Sequence, residues 1–457
     1  MNNIMFLARL LVLFSLVCIS CAHSSFEQKQ LKHALDFATS NRLELEILLQ
    51  HYTYDSLKLE AAKFLIRNMP HCYSYQQGGE MDSVKRVRTY YSPFGQIDQT
   101  YARRWGHYTY RNLLKIYDAH IITAEYLIDN IDRAFDNWQK RPWNRSLSFE
   151  DFCEYLLPYR IGDEPLEEWR ELYEKKYGYL LDSIYKGSDV VEAANLVSRH
   201  LQEPVFIYCE DFELPHIGPR YLFSHRYGSC VDAADIVTYA FRAVGIPCME
   251  DTDARGGHVW NVVRDTTGRD VPIWYIASEA VRGSRDTGGY KRGKVYRPMY
   301  GFQEEKAAHL GDDWKSMPLL FYHPYMKDVS YAYYPDTLRI LTGIPDDEVC
   351  YLAHFHEAHW WSCACARSAS GKMEIPNLES ELVYLPIKYT KGNYYPSGFP
   401  FWFAGGEINT FLPDWEKTVK VRLYRKYPVY GWLRSFMGHV VGGTFEGSMT
   451  KNFEDGK

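Results

Sequence analysis

The sequence lacks several features that would place it in a specialised class of protein. Its 457 residues carry a net charge of −6 and no strongly basic block, which argues against a nucleic-acid partner. Its ten cysteines do not have the regular spacing of a disulfide framework, so we expect most of them to be buried apolar thiols. It contains no internal repeat and no low-complexity tract. With 46% apolar and 24% charged residues it is neither disordered nor collagen-like, and its length allows roughly two to four domains.

Only one stretch near the start is strongly apolar. It covers residues 10–17 after Arg9, and it is shorter than the about 20 residues that a membrane-spanning helix needs. The Ile-Ser pair before Cys21 resembles a bacterial lipobox, which implies that Cys21 becomes a lipidated first residue. The alternative is ordinary cleavage after Ala22. We expect an exported lipoprotein that a lipid anchors to a membrane of the bacterial cell envelope, facing either the periplasm or the surface.

The pattern of apolar residues predicts an α+β chain with a helical beginning and a β-rich end. Helical spacing is found over 26–70 and near 114–138, 149–157, 165–185 and 188–202, whereas 71–110 is predicted to be a loop. One further helix is predicted at 231–244, followed by short strands around 258–276. Later β-like runs cover 349–355, 382–385 and 419–423. The expected divisions are a signal segment at 1–22, a helical region at 23–203, a core at 204–324 and a β-sandwich-like domain at 325–457.

One segment of this core carries residues suited to nucleophilic chemistry. Cys230 lies at the start of the helix predicted over 231–244, and Gly245 supplies its stop. Unpaired backbone N–H groups at a helix start lower the pKa of a thiol and can hold an oxyanion. His258 comes 28 residues later, at the start of an apparent strand. A thiol that attacks and an imidazole that carries the proton are the two requirements of a Cys–His pair.

The sequence around these residues resembles the transglutaminase-like superfamily, which has a papain-like thiol fold. The resemblance covers about 227–276 and rests on Gly-Ser-Cys230, on Arg-Ala-Val-Gly-Ile-Pro247 and on Gly-His258-Val-Trp260, in that order and spacing. It implies that Cys230 is the nucleophile, that His258 is the general base and acid, and that no metal or organic cofactor is required. The implied reaction is hydrolysis of a peptide or amide bond, in a peptide, protein or glycopeptide, through a thioester.

The third member of the family's triad, an aspartate on the strand after the histidine, has no obvious counterpart here. The position opposite His258 is expected near 275–276, where the sequence offers no carboxylate. Asp270 is predicted to lie too close to the hairpin turn to reach His258. Glu279 lies just past the expected place and is our substitute for the third residue. Otherwise a carbonyl or amide orients His258, or activity has been lost. Two helix aspartates, Asp232 and Asp235, are explained as charges that match the helix dipole.

The resemblance extends weakly outward from this segment. Residues 57–69 and 158–165 look like segments that precede such a core in exported proteins of Bacteroidetes, where helices, the thiol core and β-sandwich modules follow one another. Residues 442–447 look like the opening of a further β module, so we expect a shortened C-terminus. The rival interpretation of function is an inactive scaffold whose β domain binds glycan or protein.

Two clusters in the β-rich region have competing explanations. The first could hold a metal, but its spacing matches no familiar zinc pattern, so residues on shared strand faces are the preferred interpretation; it consists of His354, His356, His359, Cys363 and Cys365. The second is aromatic and could stack on sugar rings, although core packing is preferred; it consists of Trp360, Trp361, Tyr394, Tyr395 and residues 399–403.

Overall fold

A computed structural model describes most of the chain up to residue 416. The described residues are 25–89, 108–203, 205–208, 214–254, 257–274, 278–285, 291–303, 317–341, 348–356, 359–414 and 416. Those up to Phe411 form one compact unit, and of 412–457 the structure describes only 412–414 and 416. Cys21 and the predicted β segments 419–423 and 442–447 lie outside the described residues. No helix within the described ranges is long and apolar enough to cross a membrane.

The α-helices are concentrated in the first 250 residues. They are α1 over residues 25–37, α2 (Arg42–His51), α3 (Ser56–Asn68), α4 (Gly79–Thr89), α5 (Ala124–Lys140), α6 (Phe149–Tyr155), α7 (Arg170–Tyr179), α8 (Val190–Leu201), α9 (Pro219–Ser224), α10 (Cys230–Ala243) and α11 (Leu319–Tyr322). Shorter 3-10 or π turns cover Thr39–Asn41, Met69–His71, Tyr110–Asn112, Asp118–His120, Pro142–Ser146, Leu180–Ile184 and Ser330–Ala332. The helices expected near 149–157 and 188–202 are confirmed.

Two predictions in the helical region are wrong in part. The predicted loop over 71–110 contains helix α4, which buries Met81, Val84 and Val87 at every third position. The helix expected from 114 begins only at Ala124, because Thr123 caps it by accepting a hydrogen bond of 3.2 Å from the Tyr126 N–H. For α4, the local pattern of polar and apolar residues is too weak to show where tertiary packing stabilises a helix.

The strands form two main antiparallel sheets and three short pairs, so the α+β fold class is confirmed. The first sheet has the order β7-β6-β5-β8-β9, from strands β5 (Cys248–Asp253), β6 (Val259–Arg264), β7 (Asp270–Ile273), β8 (Val295–Pro298) and β9 (Met326–Asp328). The pairs are β1 (Tyr73–Tyr75) with β2 (Lys115–Tyr117), parallel β3 (Ile207–Tyr208) with β4 (Tyr227–Gly228), and β10 (Asp336–Leu341) with β13 (Lys372–Leu378).

The second main sheet lies in the β-rich region. Its order is β12-β11-β14-β16-β17, with β15 paired to β14, from strands β11 (Val349–His356), β12 (His359–Arg367), β14 (Leu382–Thr390), β15 (Asn393–Pro396), β16 (Phe401–Ala404) and β17 (Glu407–Thr410). One face packs on the β10–β13 pair through a core that includes Leu338, Leu352 and Phe403. The other face packs against Phe321 of helix α11 through Tyr351 and neighbouring residues. The sheet therefore has part of each face buried.

Helix α10 occupies the interior of the first half of the molecule. Every one of its residues is buried except Val231, which is partly exposed. The helix begins as predicted after Ser229, whose N–H donates 2.7 Å to the Asp232 carboxylate. It ends where Gly245 adopts a positive φ of 81°, the left-handed stop expected from the sequence. A helix that is buried on nearly all sides needs partners inside the protein for its polar side chains.

A buried amide holds this helix against the first sheet. The Asn261 side chain on β6 donates to the Ala234 carbonyl at 3.0 Å and to the Thr238 hydroxyl at 2.9 Å. Apolar residues of the helix and of β6 and β7, among them Val237 and Val263, continue the contact in one core. The strands predicted around 258–276 therefore form the hairpin that supports the helix.

Candidate active site

Cys230 is the first residue of helix α10 and is only 7% exposed. The tight entry predicted from Gly-Ser has a steric basis, because a Cβ added at Gly228 would lie 2.3 Å from the Asp232 carboxylate. With this entry, Cys230 lies in the first turn of the helix, where backbone N–H groups have no partner within the helix. Such a position favours a thiolate and offers donors to an oxyanion.

His258 immediately precedes strand β6, as predicted. Its ring stacks on the indole of Trp274, with centroids 4.9 Å apart and planes 15° apart, and lies 6.0 Å from the Trp260 ring. Its carbonyl accepts a hydrogen bond of 3.0 Å from the Thr252 hydroxyl. The two indoles fix the plane of the imidazole, and the backbone contact fixes its position at the end of the sheet.

The strand and the helix are in register at their beginnings. Strand β6 pairs antiparallel with β5. Helix α10 also runs antiparallel to β5, because Thr238 donates to Glu250 while Arg242, one turn later in the helix, donates to the carbonyl of Cys248, two residues earlier in the strand. Asn261 lies beside the stretch between Ala234 and Thr238. His258 comes three residues before Asn261, which is about 10 Å along the strand. Cys230 comes six residues before position 236, the middle of that stretch, which is about 9 Å along the helix.

Cys230 and His258 therefore lie at the same end of the helix–sheet unit. The residues that follow them, Val231 and Val259, both line one cavity of about 360 Å³. The sequence predicted both residues on local signals, and the structure brings the two segments together.

The substitute for the third residue, Glu279, has another partner. Its carboxylate accepts a hydrogen bond of 2.7 Å from Arg199 in an exposed ion pair. The structure therefore gives no support to Glu279 as the residue that orients His258. Trp274, the last described residue of this hairpin arm, instead covers His258 with its indole. Positions 275 and 276, expected opposite His258, lie outside the described residues.

Asp270 is also engaged elsewhere, in keeping with the prediction that it cannot reach His258. Its carboxylate accepts 2.7 Å from Arg297, 3.2 Å from Arg264 and 2.8 Å from the Tyr155 hydroxyl. Burial opposes its ionisation, but the two guanidinium groups outweigh burial and hold the pKa of Asp270 below its ordinary value. This buried network ties β6, β7 and β8 together.

Sequence reasoning missed a carboxylate on the strand before the histidine. Asp253, the last residue of β5, is in register with His258, since its N–H donates 3.4 Å to the His258 carbonyl. Its side chain is 1% exposed, accepts 2.9 Å from the Gly257 N–H and forms an ion pair of 3.0 Å with Arg292. Residues directly opposite in an antiparallel pair have Cβ atoms about 4.5–5.5 Å apart. A search of the hairpin on both sides of His258, rather than only after it, would have found Asp253.

A second imidazole, also missed, faces the cavity beside helix α10. His216 lines the cavity and binds the buried Asp235 carboxylate through Nδ1 at 2.9 Å. Its ring lies against Gly162, where an added Cβ would lie 2.3 Å from Nε2. Asp235 is thus the partner of His216, which corrects its interpretation as only a dipole-matching charge.

The electrostatics of this pair favour the imidazolium. Burial alone lowers the pKa of His216, but the Asp235 carboxylate outweighs burial and raises it well above its ordinary value. Asp163 and Glu164 act in the same direction. We therefore expect a protonated His216 in an ion pair with the Asp235 carboxylate at this wall of the cavity.

The structure places part of the His and Cys cluster predicted in the β-rich region. His354 and Cys363 are buried, and the Cys363 thiol donates to the Leu352 carbonyl at 3.4 Å. Among the described residues no group of His, Cys, Asp or Glu is arranged to hold a metal ion, and the side chains of His356 and His359 are outside that set. The described cysteines are all thiols, and all of them except Cys365 are buried, as expected.

Comparison with protein-family models, with curated proteins and with solved structures finds no match to this chain.

The His216–Asp235 pair yields a testable prediction. In Asp235→Asn the carboxylate is lost while burial remains, so the pKa of His216 should fall. An NMR titration of the labelled histidine rings measures this value. The control is Asp129→Asn, which removes an exposed carboxylate paired with Arg133. An unchanged pKa in Asp235→Asn would show that Asp235 does not stabilise the imidazolium.

Proposed function

We propose that this protein is an exported cysteine hydrolase of the transglutaminase-like type, acting on peptide or amide bonds. One observation carries the proposal: the thiol at the start of α10 and the imidazole at the start of β6 lie at the same end of one helix–sheet unit, next to a cavity. Pockets of about 300–1,000 Å³ are the usual size for small ligands. The packing of α10 on an antiparallel sheet also agrees with the papain-like arrangement that the sequence resemblance implies.

The proposed reaction has two stages. The Cys230 thiolate attacks the carbonyl carbon, and N–H groups of the first turn of α10 stabilise the oxyanion. The C–N bond then breaks, His258 gives its proton to the leaving amine, and a thioester remains on Cys230. In the second stage His258 takes a proton from water, the resulting hydroxide attacks the thioester, and the C–S bond breaks to release the acid and the thiolate. Trp274 and Asp253 are positioning residues, the first for the plane of the His258 ring and the second for its backbone.

The surrounding parts of the chain support an envelope location in this proposal. The Ile-Ser-Cys21 signal provides export and a lipid anchor, so the substrates are peptides, proteins or glycopeptides of the cell envelope. The β-rich region, where a larger sheet covers the β10–β13 pair, serves as the sandwich-like accessory domain.

A generic acyl donor tests the proposal without knowledge of the substrate. With p-nitrophenyl acetate we expect a burst of nitrophenolate and the mass of one acetyl group on the Cys230 peptide, in a form that hydroxylamine removes. Cys230→Ser should abolish both. His258→Gln should slow release of the acetyl group by about 10²-fold or more, because it removes the general base. The matched control is Cys365→Ser, which removes a partly exposed thiol of the β-rich region.

Two results would contradict the hydrolase. One is acetylation that spreads over several cysteines and lysines with no preference for Cys230. The other is a burst that is the same in Cys230→Ser as in the natural chain.

A second candidate function is glycan binding by the β-rich region. Strand register places Trp360, Phe355 and Trp402 on the same face of the second main sheet, because Phe355 pairs with Trp360 and lies level with Val383, the partner of Trp402. The three rings are 39%, 50% and 38% exposed. They form an aromatic row about 14 Å long, three strand spacings across. Exposed aromatic faces with a polar edge are suited to stacking on sugar rings.

Binding to soluble polysaccharides tests this candidate. We expect dextran, xylan or mucin glycans in a native gel to retard the protein, and Trp402→Ala to reduce the retardation about tenfold or more. Tyr395→Ala is the control, because Tyr395 is also an exposed aromatic residue but pairs with Lys388 on the opposite face of β14. If the two variants behave alike, or if no polysaccharide retards the natural chain, the aromatic row is not a glycan site.

A further inference from the structure

The His216 ring has one edge in an ion pair and the other edge open to the cavity. Its Nδ1 binds the Asp235 carboxylate at 2.9 Å, and Asp235 is fully buried. The His216 side chain is 23% exposed, and its Nε2 has no hydrogen-bond partner within the part of the chain that the structure describes. Because His216 lines the cavity, the Nε2–H of its protonated ring is a charged donor that faces the space next to Cys230.

Gly162 keeps this edge of the ring accessible. A Cβ at position 162 would lie 2.3 Å from Nε2 and 2.7 Å from Cε1 of His216, so any side chain there would cover the donor or displace the ring. The backbone of His216 is fixed as well, since its N–H donates 2.9 Å to the Asp163 carboxylate. The imidazole is therefore held at its backbone and at Nδ1, and it presents Nε2–H in a fixed direction.

Helix α10 places this donor a short distance from the thiol. Val231 and Asp235 are four residues apart and lie on the same face of the helix, and Val231 lines the cavity that His216 faces. From Cys230 to Asp235 the helix rises about 7.5 Å. One residue of an extended chain spans about 3.3–3.6 Å. A substrate held at Cys230 by its reacting carbonyl therefore meets Nε2 with a neighbouring group and not with that carbonyl itself.

The charges in the cavity favour a neutral acceptor. Burial raises the pKa of the Glu250 carboxyl and the charge of His216 opposes that rise, so the two groups lie close together. Asp163 lines the same cavity. An anion that accepts from Nε2–H would lie near these two carboxyl groups, and a cation would lie near the imidazolium. An amide carbonyl accepts the hydrogen bond without either repulsion, and apolar walls such as Met249 and Met299 suit the carbon atoms beside it.

We propose that His216 is a specificity-determining residue, whose Nε2–H donates to the oxygen of the substrate amide that precedes the reacting carbonyl. The inference deepens the proposed function and rests on it, because it assigns one part of the substrate to the cavity beside Cys230. It selects acyl groups that carry an amide one residue before the bond that is cleaved.

The test compares two esters of equal length. The p-nitrophenyl esters of N-acetylglycine and of pentanoic acid have acyl chains of five atoms, and only the first contains an amide. Each acylates Cys230 as the C–S bond forms and the C–O bond breaks, which releases nitrophenolate. After correction for spontaneous hydrolysis, we expect the second-order acylation rate constant to be about tenfold higher or more for the acetylglycyl ester, because a hydrogen bond from a charged donor favours it.

Two substitutions should remove this preference. His216→Phe keeps a flat ring and removes the donor, whereas Gly162→Ala places a Cβ over Nε2 and keeps the imidazole and its Asp235 partner. The control is His200→Phe, since His200 binds the Leu196 carbonyl within its own helix, and it should keep the preference. The ratio of the two rate constants does not depend on the amount of folded protein. Equal rates in the natural chain, or a preference that survives both substitutions, would overturn the inference.

A binding experiment in Cys230→Ser separates the inference from the proposed function. With labelled histidine rings, we expect N-acetylglycine methylamide to shift the NMR signal of His216 Nε2–H, and N-methylpentanamide, which lacks the second amide, to leave it in place. This shift without acylation of Cys230 would keep the amide site and remove the hydrolase. Acylation of Cys230 with no preference and no shift would keep the hydrolase and overturn the role of His216.

Discussion

Burial of helix α10 on every side is the constraint on which the rest of this structure depends. A helix with almost no solvent face needs internal partners for its polar side chains, and the partners of Thr238 and Asp235 fix neighbouring elements. Thr238 fixes strand β5 through Glu250 and β6 through Asn261. Asp235 binds the His216 ring and so fixes the segment that carries it. Because these contacts set the distance and register between helix and sheet, they also bring the beginning of the helix next to the beginning of β6.

That arrangement explains why two different features occur side by side. At its start the helix presents Cys230 to the end of the sheet near His258. Along the adjoining side, a cavity of about 360 Å³ lies between the helix, β5 and the segment 158–163. In the proposed function, the Cys230 thiol carries out the chemistry next to this cavity.

The features that could be predicted depend on the pattern of residues within a short segment of the chain. The apolar stripe and Gly245 predicted the bounds of helix α10 to within one residue. The alternating pattern of the short strands around 258–276 predicted the hairpin after His258. What could not be predicted depends on pairing between distant segments. His216 reaches Asp235 from outside the helix, and Asp253 lies in register with His258 only once the hairpin closes. Helix α4 was missed because its stability comes from burial rather than from local propensity.

The most direct test of the account is the rate at which iodoacetamide alkylates Cys230 as a function of pH, followed by peptide mass spectrometry in the natural chain and in His258→Ala. Cys365 in the same samples is the internal reference. A working thiolate–imidazole pair predicts rapid labelling of Cys230 that persists well below pH 8 and slows when His258 is removed. Labelling that follows an ordinary thiol with a pKa of about 8.5, with no effect of His258, would contradict the pair and the hydrolase built on it.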